Sequence, residues 1–149
     1  MPDTPDSRFR TILALDYGLR RIGVAFGQSV TGTAGPAGVV TNTGDDRTFD
    51  AIARLIDEWR PSGLVVGLPL QADGSPGEMH ARVENFIRDL GRFRLPVATV
   101  DERYTSLEAE AILKDARATG TRGRVSKEAI DGAAAVLIAE RYLTRNAKA

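Results

Sequence analysis

Apolar and polar positions change their period twice along the chain, and those changes predict its elements. Thr11 to Leu15 is a β-rich apolar run that ends in Asp16, with Gly18 following in a tight turn. Ile22, Val24 and Phe26 alternate with smaller residues and predict a second strand; Gly38 to Asn42 predicts a third. Connections this short favour an antiparallel meander. From Phe49 the spacing turns helical through Ile52, Ala53, Ile56 and Trp59, with Asp45 and Asp46 as possible caps. Pro61 and Gly63 end that helix. Leu64 to Val66 then forms a short buried strand running into Gly67-Leu68-Pro69.

Ser75-Pro76-Gly77-Glu78 is a capping box with proline at the first helical position, and Met79, Val83, Phe86, Ile87 and Leu90 form one stripe behind it. Pro96 to Val100 predicts another buried strand, closed by Asp101-Glu102-Arg103. Thr105 and Glu108 cap a short helix reaching about Lys114, and Arg117 to Arg124 reads as a loop. Ser126 opens the last helix, with Ile130, Ala133, Ala134, Leu137 and Ile138 predicted to face inward; its alanines would let it pack close to a sheet. The order β-β-β-α-β-α-β-α-α predicts an α/β fold. Its sheet would be five-stranded and mixed, an antiparallel meander followed by two parallel strands, with helices on both faces.

Composition narrows the class without choosing a partner. With 149 residues, 42% apolar and 27% charged, the chain suits one domain over residues 1–149, with flexible tails at 1–9 and 145–149. The longest apolar run, Ala133 to Ala139, falls far short of the roughly 20 residues that span a bilayer. The polar opening segment carries no secretory signal, and the absence of cysteine suits a reducing compartment, so a cytoplasmic location is expected. Net charge is zero, which argues against coating nucleic acid by bulk electrostatics. Arginine nonetheless supplies 17 of the 20 positive charges, and its planar fork suits phosphate.

Three acids stand beside apolar sequence in separate elements. Asp16 ends a buried strand, where a carboxylate is costly unless paired or bound to a metal. Asp101 and Glu102 end another; alternation sends them to opposite faces, so at most one shares the face of Asp16. Asp131 lies early in the last helix, among residues that face the core. Carboxylates are hard oxygen ligands suited to Mg²⁺ or Mn²⁺, and two such ions ~4 Å apart serve phosphodiester cleavage. His80 has no second histidine to complete a transition-metal site and reads as a surface histidine. Neither a P-loop nor a Gly-x-Ser-x-Gly elbow is present.

Four stretches, in order, resemble the YqgF/RuvX family of RNase H-like proteins. They are Leu13-Ala14-Leu15-Asp16-Tyr17-Gly18 with Ile22-Gly23-Val24-Ala25, and Val65-Val66-Gly67-Leu68-Pro69-Leu70 with Asp73-Gly74. The others are Asp101-Glu102-Arg103-Tyr104-Thr105-Ser106, and Ile130-Asp131 with Ala133 to Ile138. The resemblance implies an RNase H-like sheet and a Mg²⁺- or Mn²⁺-dependent nuclease. The family is linked to 5′-end maturation of precursor 16S ribosomal RNA and to Holliday junction resolution. Asp16, Glu102 and Asp131 carry over as metal ligands and catalytic residues, which selects Glu102 over Asp101. If the last strand lies two places from the first, the sites stand ~10 Å apart, and the extra methylene of glutamate helps to span that gap.

Nucleic acid, with ribosomal particles, would be the partner, and the protein would be a monomer or homodimer. Arg117, Arg122, Arg124 and Lys127 are candidates for backbone contacts. Gly35 stands where many family members carry arginine, and Gly67-Leu68-Pro69 stands where RuvC-type resolvases place a second acid. The rival expectation is a non-catalytic nucleic-acid or ribosome-binding module with a vestigial metal site.

Overall fold

A computed structural model describes residues 9–69, 77–101 and 127–147. Its elements are β1 (Thr11–Asp16), β2 (Arg21–Gln28), β3 (Thr33–Thr41), α1 (Asp46–Trp59), β4 (Gly63–Leu68), α2 (His80–Leu90), β5 (Val97–Asp101) and α3 (Lys127–Ala147). The sheet order is β3-β2-β1-β4-β5. β1 pairs antiparallel with β2, and β2 with β3; β4 pairs parallel with β1, and β5 with β4. This is the mixed five-stranded sheet that the sequence predicts.

Alternation along β1 divides the core in two. Leu13 and Leu15 face a layer formed with Ile22, Val24, Leu64 and Val66, against which Ile52 of α1 and Val83, Phe86 and Leu90 of α2 pack. Ile12 and Ala14 face the opposite layer with Ala25, Val65 and Val100, covered by Ala135, Ile138, Ala139, Tyr142 and Leu143 of α3. Gly27 lies under α3: a Cβ there would stand 3.1 Å from Ile12 Cγ1 and 3.2 Å from Leu143 Cδ1. Small residues on both sides let helix and sheet approach closely.

Several boundaries differ from the expectation, each for a physical reason. β3 begins at Thr33, five residues before the predicted Gly38, because pairing with β2 carries Gly35 and Pro36 into a strand that their own propensities oppose. Proline is tolerated because β3 is an edge strand. The register shifts between Val24 and Ala25, where Ala37 is skipped. In α1, Asp45 rather than Asp46 is the cap, accepting from the Arg47 backbone N–H at 3.0 Å. The helix ends at Arg60 in the left-handed region (φ 50°), directly before Pro61.

Regular helix in α2 starts at His80; Ser75 and Pro76 lie outside the described residues, as does the helix predicted after Thr105. α3 turns Ala134, Ala135, Ile138, Ala139, Tyr142 and Leu143 inward, whereas Ala133 and Leu137 are only half-buried. At the chain's two ends, Phe9 stacks on Tyr142 (5.5 Å between ring centroids) and donates its backbone N–H to the Tyr142 hydroxyl at 2.9 Å. α3 runs to Ala147.

Candidate active site at the carboxyl edge of the sheet

Three strands end together. Leu15 of β1 is level with Val66 of β4, so Asp16 reaches the level of Gly67, which is paired with Val100 of β5. β5 lies two places from β1, with β4 between them. Asp16 follows Ile12 and Ala14 in alternation and therefore stands on the face covered by α3. It is half-buried, and its antiparallel neighbour across the ladder is Gly23.

The loop after Asp16 is fixed by close backbone packing. A Cβ on Gly18 would come within 2.5 Å of the Arg21 carbonyl oxygen, so only glycine fits this turn. Asn42, just past β3, donates its side-chain amide to the Gly18 carbonyl at 2.7 Å and its backbone N–H to Arg20 at 2.8 Å. Tyr17 points to the opposite face, where its ring lies 4.8 Å from that of Phe86. The carboxylate of Asp16 thus projects from a short, braced segment. The role of Asn42 has no signal in the sequence beyond its place at the end of a strand.

At the end of β5, Ala98 and Val100 belong to the α3 layer, whereas Val97 packs in the other. Asp101 has the parity of Val97 and so lies off the face of Asp16. Its carbonyl accepts from Arg141 Nη1 of α3 at 2.8 Å, tying that helix to the strand end. Glu102 lies outside the described residues. Asp131 is placed by its backbone in the early turns of α3, the helix that covers the Asp16 face. Among the described residues no group of three metal-ligating side chains is assembled.

Arg117, Arg122 and Arg124 also lie outside the described residues, and Lys127 is the first residue of α3. His80 is half-buried at the start of α2: its side chain is 20% exposed, with Nδ1 3.7 Å from Oε1 of exposed Glu84 one turn on. Among the described residues, no helix is long and apolar enough to cross a membrane.

Comparison with known proteins agrees with this arrangement. Residues 10–145 match the RuvX family, described as Holliday junction resolvase. A relative from Burkholderia ambifaria (strain MC40-6) is 46% identical over 138 residues, 92% of this chain and 91% of its own. One from Paraburkholderia phymatum is 46% identical over 137 residues, 91% of this chain and 86% of its own. Both bear the name "Putative pre-16S rRNA nuclease". Thermus thermophilus RuvC, solved with a Holliday junction substrate, superposes with a TM-score of 0.51 at 14% identity, covering 91% of this chain and 94% of its own. The same protein solved in a second structure gives 0.51 at 13% identity.

The mixed sheet, its order and these relatives define an RNase H-like hydrolytic nuclease. Within that class, the chain belongs to the RuvX family.

Proposed function

We propose that this protein hydrolyses phosphodiester bonds in structured RNA, with precursor 16S ribosomal RNA as its substrate and branched DNA as a second one. The observation that carries the reading is Asp16: an acid ending a buried strand, at the shared carboxyl edge of β1, β4 and β5, on the face covered by α3. The 46% identical relatives named for pre-16S rRNA supply the RNA, and the resolvase description of the family supplies the branched DNA.

Asp16, Glu102 and Asp131 would hold divalent ions. The donor set fits: all three are carboxylates and hence hard oxygen ligands, Asp16 stands on the α3 face of the sheet, and the backbone of Asp131 lies in the helix that covers that face. Mg²⁺ or Mn²⁺ bound there would make a water nucleophilic and steady the leaving oxygen. The chain's own contribution is placement, with the Gly18 turn fixing the backbone that carries the Asp16 carboxylate. Arg117, Arg122, Arg124 and Lys127 would hold the phosphate backbone. The setting would be the cytoplasm, on ribosomal particles, with the protein acting as a monomer or homodimer.

The test is cleavage of a precursor 16S RNA fragment and of a four-way DNA junction by the purified protein, with Mg²⁺ or Mn²⁺. Faster cleavage of the RNA is expected. Cleavage of neither substrate would overturn the reading.

A further inference from the structure

Along β2 the positions on the α3 face are Arg21, Gly23, Ala25 and Gly27: Ala25 lies in the layer under that helix, and alternation sets the others. Gly23, Ala25 and Gly27 are small, as the close approach of α3 over Gly27 requires. Arg21 breaks the row. It is the first residue of β2, at the same end of the sheet as Asp16, and it is half-buried.

Asp16 pairs with Gly23, so Arg21 stands two residues from its direct cross-strand partner and on the same face. Diagonal neighbours of this kind lie about 7–8 Å apart, within reach of a long side chain. The direct partner has no side chain. Arg21 and Ala25 are therefore the diagonal neighbours of Asp16 on β2, and of the two only Arg21 carries a charge. Its backbone is fixed by pairing with Thr41 of β3, and its carbonyl oxygen packs against Gly18 in the turn that follows Asp16.

A permanent cation opposes divalent ions at an adjacent carboxylate. It favours a phosphate there, and still more the negative charge that a phosphate gains when a nucleophile attacks it. The planar fork of arginine suits two phosphate oxygens. Five N–H donors let it hold a neighbour within the protein and a phosphate at once.

We infer that Arg21 binds the phosphate being cleaved and stabilises the charge that develops on it. The inference rests on the nuclease reading above and adds a cation to the acid edge.

The test compares wild type with Arg21→Met and Arg21→Lys. Mn²⁺ affinity is measured by isothermal titration calorimetry without RNA, and cleavage on the precursor 16S RNA fragment in saturating Mn²⁺. In Arg21→Met, which keeps the stem and removes the charge, kcat should fall by ~100-fold with circular dichroism unchanged. Its Mn²⁺ affinity should stay within about twofold of wild type or rise, because a neighbouring cation is gone. Arg21→Lys, which keeps the charge and loses the fork, should fall in kcat by about tenfold. Cleavage by Arg21→Met within about twofold of the wild-type rate would overturn the assignment. So would a loss of rate in which Mn²⁺ binding weakens by more than about twofold, because a residue that only holds Asp16 in place behaves that way. If Asp16→Asn loses cleavage and Arg21→Met does not, the inference fails and the nuclease reading stands. If wild type cleaves nothing, both fail.

Discussion

Asp16 stands directly across the β1–β2 ladder from Gly23, so the nearest cross-strand position on its face carries no side chain. Cross-strand partners are the closest side-chain neighbours a strand residue has. That glycine lies where three strands end together. The same face of β2 continues with Ala25 and Gly27, and α3 answers with Ala135 and Ala139. Small residues on this face therefore admit the helix that carries Asp131.

The parity of β5 separates two adjacent acids. Asp101 lies off the Asp16 face, and its backbone carbonyl is what α3 engages through Arg141. Asp101→Asn should keep most of the hydrolytic activity. Glu102→Gln should lower kcat by more than ~100-fold, since even groups that only orient metal ligands are worth 10–100-fold. Initial rates on the RNA substrate at saturating Mg²⁺ decide between them; the reverse ranking would place the ligand at Asp101.

Close packing of α3 on β2 makes Gly27 intolerant of a side chain. Gly27→Val would press on Ile12 and Leu143, both buried, and overpacking of this kind costs ~1–3 kcal/mol. Thermal unfolding should show it as a fall in Tm of roughly 2–4 °C per kcal/mol for a chain of this length. Gly35→Val is the control, because a Cβ there meets nothing within 4 Å. The two variants should differ clearly. Equal Tm values would mean that the helix does not sit where the structure has it.

Asp45 links helix capping to acid stability. Its carboxyl is held down from 3.8 to about 2, chiefly by the hydrogen bond from the Arg47 side chain and next by that from the Thr43 hydroxyl. A depressed carboxylate stabilises the fold above its unfolded value and loses that contribution as pH falls through the folded one. Asp45→Ala should therefore lower Tm at pH 7, and the gap to wild type should narrow between about pH 4 and pH 2. A gap that stays constant across that range would show that ionisation of Asp45 contributes nothing to the cap.

Much of the fold was legible because pattern and packing agree. β1, β4 and the stripe of α2 announce themselves, since each buries a continuous set of large side chains. The first half of β3 was not legible: Gly35 and Pro36 read as turn residues, and only pairing to β2 makes them a strand. The inward face of α3 was legible only in part: Ala134 and Ile138 are inside as expected, but seven apolar residues in a row carry no phase, and only the docked helix shows Tyr142 and Leu143 inside. For the candidate site, the place of Asp16 at the end of a buried strand was readable from the apolar run before it. The choice of Glu102 came from family resemblance, because sequence alternation says only that one of two neighbours shares a face.

Asp16→Asn asks whether the acid edge of the sheet performs the hydrolysis. The substitution keeps size and hydrogen-bonding capacity while removing the charge. Cleavage of the precursor 16S RNA fragment in Mg²⁺ should fall by more than ~100-fold, with Tm and circular dichroism close to wild type. Cleavage by Asp16→Asn at the wild-type rate would place the hydrolytic chemistry away from the carboxyl edge of β1.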